Sequence, residues 1–255
     1  MKETKQLLRY VQTYFQDYLK IHRGLSPNTI CTYRDAIKLF LIFLAKYTGK
    51  PTPKLSLDEL NAEAVLAFLR EIEQTRQNEA VTRNLRLSAL RTFFTYLATQ
   101  DPIRAGQYQR VISIPLKQSS HRIMEYLEVE EVKAILNLID QKKANGRRDY
   151  ILLSFLYNTG ARVQEVCDLR VEDIQWEPPP LASLTGKRRK TRRVPLWPET
   201  TALLKAYLAE RNVSQDLPDR IFINARGGPL TRFGIHHIIK KRAAAATTQC
   251  PSLAQ

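Results

Sequence analysis

Residues 101 to 125, "DPIRAGQYQRVISIPLKQSSHRIME", interrupt a sequence otherwise dominated by the helical spacing of apolar side chains. Pro, Gly and Ser gather there, and the recurrence at three and four residues stops. The loss of period marks a linker rather than a third core, so a chain of 255 residues with this break is expected to fold as two units. The pattern divides it into a helical unit over 1–102, a linker over 103–125 and a second unit over 126–255.

The first unit reads as four helices with no strand. Apolar residues recur from Leu7 to Leu19, and "SPNTICTYRDAIKLFLIFLAKY" opens a second helix with Ser26 as N-cap and Pro27 at its first position. "KPTPK" breaks that helix. Ser56 and Glu59 stand at capping-box spacing, and helices near 62–76 and 80–99 follow. In the last of these, Leu87, Leu90, Phe94 and Leu97 form a core seam. Arg83, Arg86 and Arg91 add positive charge to the same helix, either as a solvated face or as contacts to an anion.

In the second unit, Val132, Ile135, Leu136 and Ile139 place a helix over roughly 129–143, and the nearly all-apolar run from Asp149 to Tyr157 predicts a buried one. The period then changes. "VEDIQW", "LASLTG" and "RRVPL" predict a small antiparallel sheet, with "EPPP" interposed between the first two, and helices over 198–211 and 231–246 complete the unit. The fold class is mainly α, with an α+β second unit.

Lys and Arg number 40 against 25 acids, a net charge of +15, and the excess is spread over both units. Two folded units that are both basic point to a polyanion such as nucleic acid; a mere solubility excess needs less charge. Cys31, Cys167 and Cys250 lie far apart, with no paired spacing and no histidine cluster, which speaks for reduced thiols and against a disulfide framework or a zinc site. No apolar run approaches membrane-spanning length, and the charged start "MKETKQLLRYVQTYF" leads to a cytoplasmic expectation.

Two features carry chemistry. In "TGARVQEVCDLR", residues 159–170, Arg162 opens a helix, where a cation sits badly with the positive end of the helix dipole. An anionic ligand would explain it, and so would a surface pair with Glu165 one turn on. In "GKRRKTRR", residues 186–193, six basic residues without an acid occupy the turn between two predicted strands. Such density suits phosphate contacts, although a solvated turn or a nuclear-localisation tract would look alike.

With these residues in view, the chain resembles the tyrosine recombinases, the phage-integrase and Xer-type group. "SPNTICTYRDAIKLFLIFL" and "TRNLRLSALRTFFTYL" resemble helices of that family's SAM-like core-binding domain. "LYNTGARVQEVCDLRVEDI" is similar to its first catalytic box, "LTGKRRKTRRVPL" to its hairpin lysine motif, and "GGPLTRFGIHHIIKKRA" to the helix before its second box. One departure is Arg188, which stands where the motif has a second glycine. The resemblance implies a four-helix core-binding domain followed by a partial catalytic domain, with Arg162 as the first catalytic arginine and Lys187 as the hairpin lysine. It further implies DNA contacts from Thr29, Arg34, Arg83, Arg86, Arg91, Arg188, Lys190 and Arg192. The family cleaves one strand at a time through a 3′-phosphotyrosine, without metal or high-energy cofactor. Its partners are double-stranded DNA and further recombinase copies, a tetrameric synapse in the intact family, or here an intact recombinase.

The sequence also lacks something the family uses. No His-x-x-Arg occurs: His236 is followed three places on by Ile239, and His237 by Lys240. Only Tyr207 of the 11 tyrosines comes after the hairpin, at what reads as a core or partly exposed helix position. The expectation is therefore a C-terminally truncated recombinase that binds a core site and does not cleave it alone. A non-enzymatic regulator occupying recombinase sites, or a helical protein-interaction module with an incidental basic surface, are the alternatives.

Overall fold

The computed structural model describes residues 2–119, 126–186, 190–212 and 219–254. The chain forms two compact units, Met1–Ile123 and Met124–Gln255.

The first unit is all helical. Helix α1 (Lys2–Thr13) runs on as a π-helical segment, Tyr14–His22, followed by α2 (Pro27–Thr48), α3 (Ala62–Gln74), α4 (Ala80–Gln100) and α5 (Ala105–Ile112). The start of α2 follows from its sequence: the Ser26 hydroxyl accepts the Thr29 N–H at 3.3 Å, and Pro27 fills a position whose N–H would have no helical partner. Gly49 ends the helix in the left-handed conformation (φ 69°) that a side chain disfavours. Phe40, Phe68, Phe93, Phe94 and Tyr108 are fully buried where α2, α3, α4 and α5 meet.

Helix α5 corrects the expected linker over 103–125. Its eight residues are too few to display a periodic stripe, and Gly106 and the preceding Pro102 read as breakers. What orders the segment is tertiary: Tyr108 and Val111 are buried in the core, and the Tyr108 hydroxyl donates to Asp101 at 3.0 Å. Burying an aromatic ring outweighs a weak local propensity.

The second unit contains α6 (Val129–Asn137), α7 (Ala144–Thr159), α8 (Val163–Asp168), β1 (Ile174–Gln175), β2 (Leu181–Thr185), β3 (Thr191–Pro195), α9 (Pro198–Glu210) and α10 (Arg232–Ala246). The strands form an antiparallel sheet in the order β1-β2-β3, with Ala182 opposite Val194 and Leu184 opposite Arg192. Helix α6 stops at Asn137, short of the expected 143. The following turn is held from α7: Arg147 donates to the carbonyls of Gln141 (3.0 Å) and Lys142 (2.9 Å). Gly146 lies so close that a β-carbon on it would stand 1.9 Å from the Asp140 carbonyl oxygen. Leu152, Phe155, Val166, Leu184, Leu204 and Phe222 make this unit's own core.

Candidate active site

The site begins where α7 ends. Gly160 caps the helix at φ 57°, its N–H bonded to Leu156 at 2.9 Å, which turns the chain sharply enough for Arg162 to become the N-cap of α8. Three residues on, Glu165 reaches back: its Oε2 accepts the Arg162 backbone N–H at 2.8 Å, satisfying a donor the short helix leaves open.

The same carboxylate gathers two guanidinium groups. Arg162 donates from Nη1 to Oε1 at 3.0 Å; Arg192, from β3, donates from Nη1 to Oε1 and from Nη2 to Oε2, both at 2.8 Å. Glu165 is buried, with 2% of its side chain exposed, and these hydrogen bonds make its charge tolerable there. The bonds from Arg192 above all, then those from Arg162, hold its carboxyl down to about 2 against the opposing effect of burial. Arg192 is raised in turn by Glu165.

The two arginines differ in what they leave outside. Arg192 is the more fully engaged: its fork closes on Glu165 and also approaches the Gly160 carbonyl at 3.4 Å, leaving 39% of its side chain exposed. Arg162 is 70% exposed by its side chain, and one of the five N–H donors of its guanidinium is bonded to Glu165. A positively charged fork oriented from behind and open in front is suited to the nonbridging oxygens of a phosphodiester.

The hairpin arrives at the same place. Gly186 N–H bonds to Lys190 O at 2.9 Å, closing the β2–β3 turn. A β-carbon on Gly186 would stand 2.7 Å from Glu165 Oε1 and 3.4 Å from Arg162 Nη1. Lys187 and Arg188 lie outside the described residues. Lys190 is exposed.

A second carboxylate is built alike. Asp149, also buried, accepts from Arg148 on Oδ1 (Nε 3.0 Å, Nη2 2.6 Å) and from Arg242 of α10 on Oδ2 (Nε 3.0 Å, Nη2 2.5 Å). Arg148 also reaches the Ile223 carbonyl at 3.3 Å. The pair ties α10 to α7 across 93 residues of sequence.

In the first unit the expected contact residues divide. Arg83 turns inward, 9% exposed by its side chain, donating to Asn84 at 3.1 Å and standing 3.9 Å from Glu73. Asn84 in turn bonds the backbone of Lys117 in both directions, at 2.7 and 3.0 Å, and Arg91 donates to the Ile114 carbonyl. These side chains moor the segment after α5, a use that a charge pattern along one helix does not display. Arg86 is half-buried beside Thr32 and Thr82 in a cleft of about 220 Å³, and desolvation together with Arg76 lowers its pKa. Thr29 shares a hydrogen bond of 2.9 Å with the Ser26 hydroxyl, and Arg34 is exposed and paired with Asp35 at 3.1 Å.

Tyr207 is buried, stacked on Phe222 with ring centres 6.1 Å apart, and burial pushes its phenol up. His236 and His237 are exposed on α10. Among the described residues there is no cluster of three or more His, Cys, Asp or Glu that could hold a metal, and no helix long and apolar enough to cross a membrane.

Comparison with known proteins gives a family match for each unit. Residues 125–252 match the model of the phage integrase family, and residues 13–101 match that of the phage integrase N-terminal SAM-like domain. The chain is 38% identical over 256 residues to y4rD of Sinorhizobium fredii (strain NBRC 101917 / NGR234), an integrase/recombinase by name, covering 100% of this chain and 91% of that protein. It is 31% identical over 242 residues to the tyrosine recombinase XerC of Oceanobacillus iheyensis, covering 92% and 75% of the two chains. In structure it is similar to the XerH site-specific recombinase solved on its palindromic difH substrate, with a TM-score of 0.67 at 24% identity over 88% of this chain and 64% of that one.

Proposed function

Because the chain belongs to the phage integrase family of tyrosine recombinases, we propose that its two units bind duplex DNA and that Arg162 holds the phosphodiester at which strands are exchanged. The observation that carries this reading is the posture of Arg162: anchored through a buried carboxylate, yet 70% exposed. Charge that grows on the nonbridging oxygens as the phosphorus becomes five-coordinate would be met by that fork, and removing one such donor commonly costs on the order of 3 kcal/mol of barrier. Lys187 follows directly on Gly186, which abuts the Arg162–Glu165 pair, and its ammonium is assigned the proton given to the departing 5′ oxygen. Lys190 and Arg188 of the same turn, with Thr29 and Arg34 of the first unit, are assigned to backbone phosphates.

These 255 residues hold no His-x-x-Arg, and Tyr207 is buried. We assign them binding without cleavage on their own, with an intact recombinase supplying the nucleophile in trans. The test is a nicked suicide substrate carrying a recombination site. The chain alone should bind it with steep salt dependence and form no covalent adduct; with an intact relative added, an adduct that depends on Arg162 should appear. Covalent product from the chain alone overturns the division of labour, and no DNA affinity even at low salt overturns the whole reading. Binding without adduct in any mixture would mark a regulator that occupies such sites.

A further inference from the structure

We propose that an apolar groove on the first unit receives the acidic, apolar entry to α6 from a second copy of this chain. The groove, about 450 Å³, runs between the first helix and α2; Val11, Phe15, Leu41 and Ile42 line it, and Arg34 and Lys38 are its basic flank. Its size falls among clefts that take a bound group, roughly 300–1,000 Å³. Ile42 is 53% exposed there.

The second unit presents a matching segment. Tyr126, Leu127 and Val129 are 79%, 52% and 51% exposed, three large apolar side chains in four consecutive positions. Glu128 and Glu130 alternate with them, both exposed. Apolar groups gathered this way on a soluble surface mark a contact, and carboxylates among them select a basic seat over an acidic one. The present ion pairs at both places are local and solvent-exposed, Arg34 with Asp35 and Lys133 with Glu130, so exchanging them across an interface costs little. Since the two patches differ, the contact is heterologous, joining copies head to tail, and such contacts close into rings or run on as filaments.

The test uses the full chain without DNA, so that it stands whether or not the DNA reading survives. Sedimentation should show mass rising with concentration below about 1 mM. Ile42→Glu should weaken association by at least ~10-fold while thermal unfolding of the variant stays cooperative; Ile42→Ser, a milder change, guards against misfolding and should weaken it less. Lys38→Glu and Glu128→Lys should each weaken association, and the double variant should recover it. A chain that stays monomeric at about 1 mM overturns the proposal. So does association indifferent to Ile42→Glu, or a double variant no better than the singles. Variants that alter stability at unchanged mass would show the groove filled by its own chain, which also overturns it.

Discussion

Asp149 inside α7 and Glu165 just beyond its end are both buried carboxylates holding two arginines, and they differ in what the arginines do afterwards. At Asp149 the two side chains are 11% and 19% exposed, so the cluster is closed on itself. At Glu165 one arginine is 39% exposed and the other 70%. The chemistry is shared, and the direction of the guanidinium decides its use. A closed cluster fixes one helix against another, whereas an open one lends a fixed cation to whatever arrives from solution. Neither carboxylate is evidence of net stability in itself, because desolvation offsets much of the attraction; each is costly to remove once its partners are in place.

The sharpest test of the contrast is Asp149→Ala. It strands two poorly exposed guanidinium groups and should lower the stability of the second unit by about 3–5 kcal/mol. Both tryptophans, Trp176 and Trp197, lie in that unit, so their fluorescence during chemical denaturation reads the effect. A loss under about 1 kcal/mol would mean that the Asp149 cluster is no tighter than a surface pair.

Acid should find the open cluster next. Glu165 titrates at about 2 in the folded chain against an ordinary 4.5, so its stabilisation is complete above pH 4.5 and disappears as pH falls through 2. The depressed value corresponds to about 3 kcal/mol over that window. Glu165→Gln should flatten this part of the stability–pH curve, and an unchanged curve in the variant would assign the acid sensitivity elsewhere.

The smallest effect on stability is expected at Arg162→Ala, about 1 kcal/mol or less, since its side chain is mostly exposed and Arg192 remains on Glu165. DNA affinity should nevertheless drop, with the salt dependence reduced by about one phosphate contact. If Arg162→Ala destabilises as much as Asp149→Ala, the distinction between open and closed clusters fails.

Much of this could be read before any coordinates. Ser26 and Pro27 announced α2, the glycine before Arg162 announced the turn, and the three strands were visible as a change of period. Local rules govern all of these. Arg83, Arg91 and Arg192 read as exposed charge or DNA contacts because their partners, Glu73, the Ile114 carbonyl and Glu165, are 10 to 27 residues away. Asp149 and Arg242 are further apart still. Glu165 was visible as the neighbour of Arg162 three positions on, but its burial, which makes it an anchor, is a property of packing.

Helix α7 joins the two clusters as a spacer with both a length and a phase. From Asp149 to Thr159 it rises about 15 Å, and each residue turns the axis by about 100°. Arg242 grips it at Asp149 and the Gly160 turn leaves from its C-terminal end, so inserting or deleting a single residue between them would swing Arg162 to a different side of the unit while leaving every motif intact. Identity along its solvent side can drift; the count cannot.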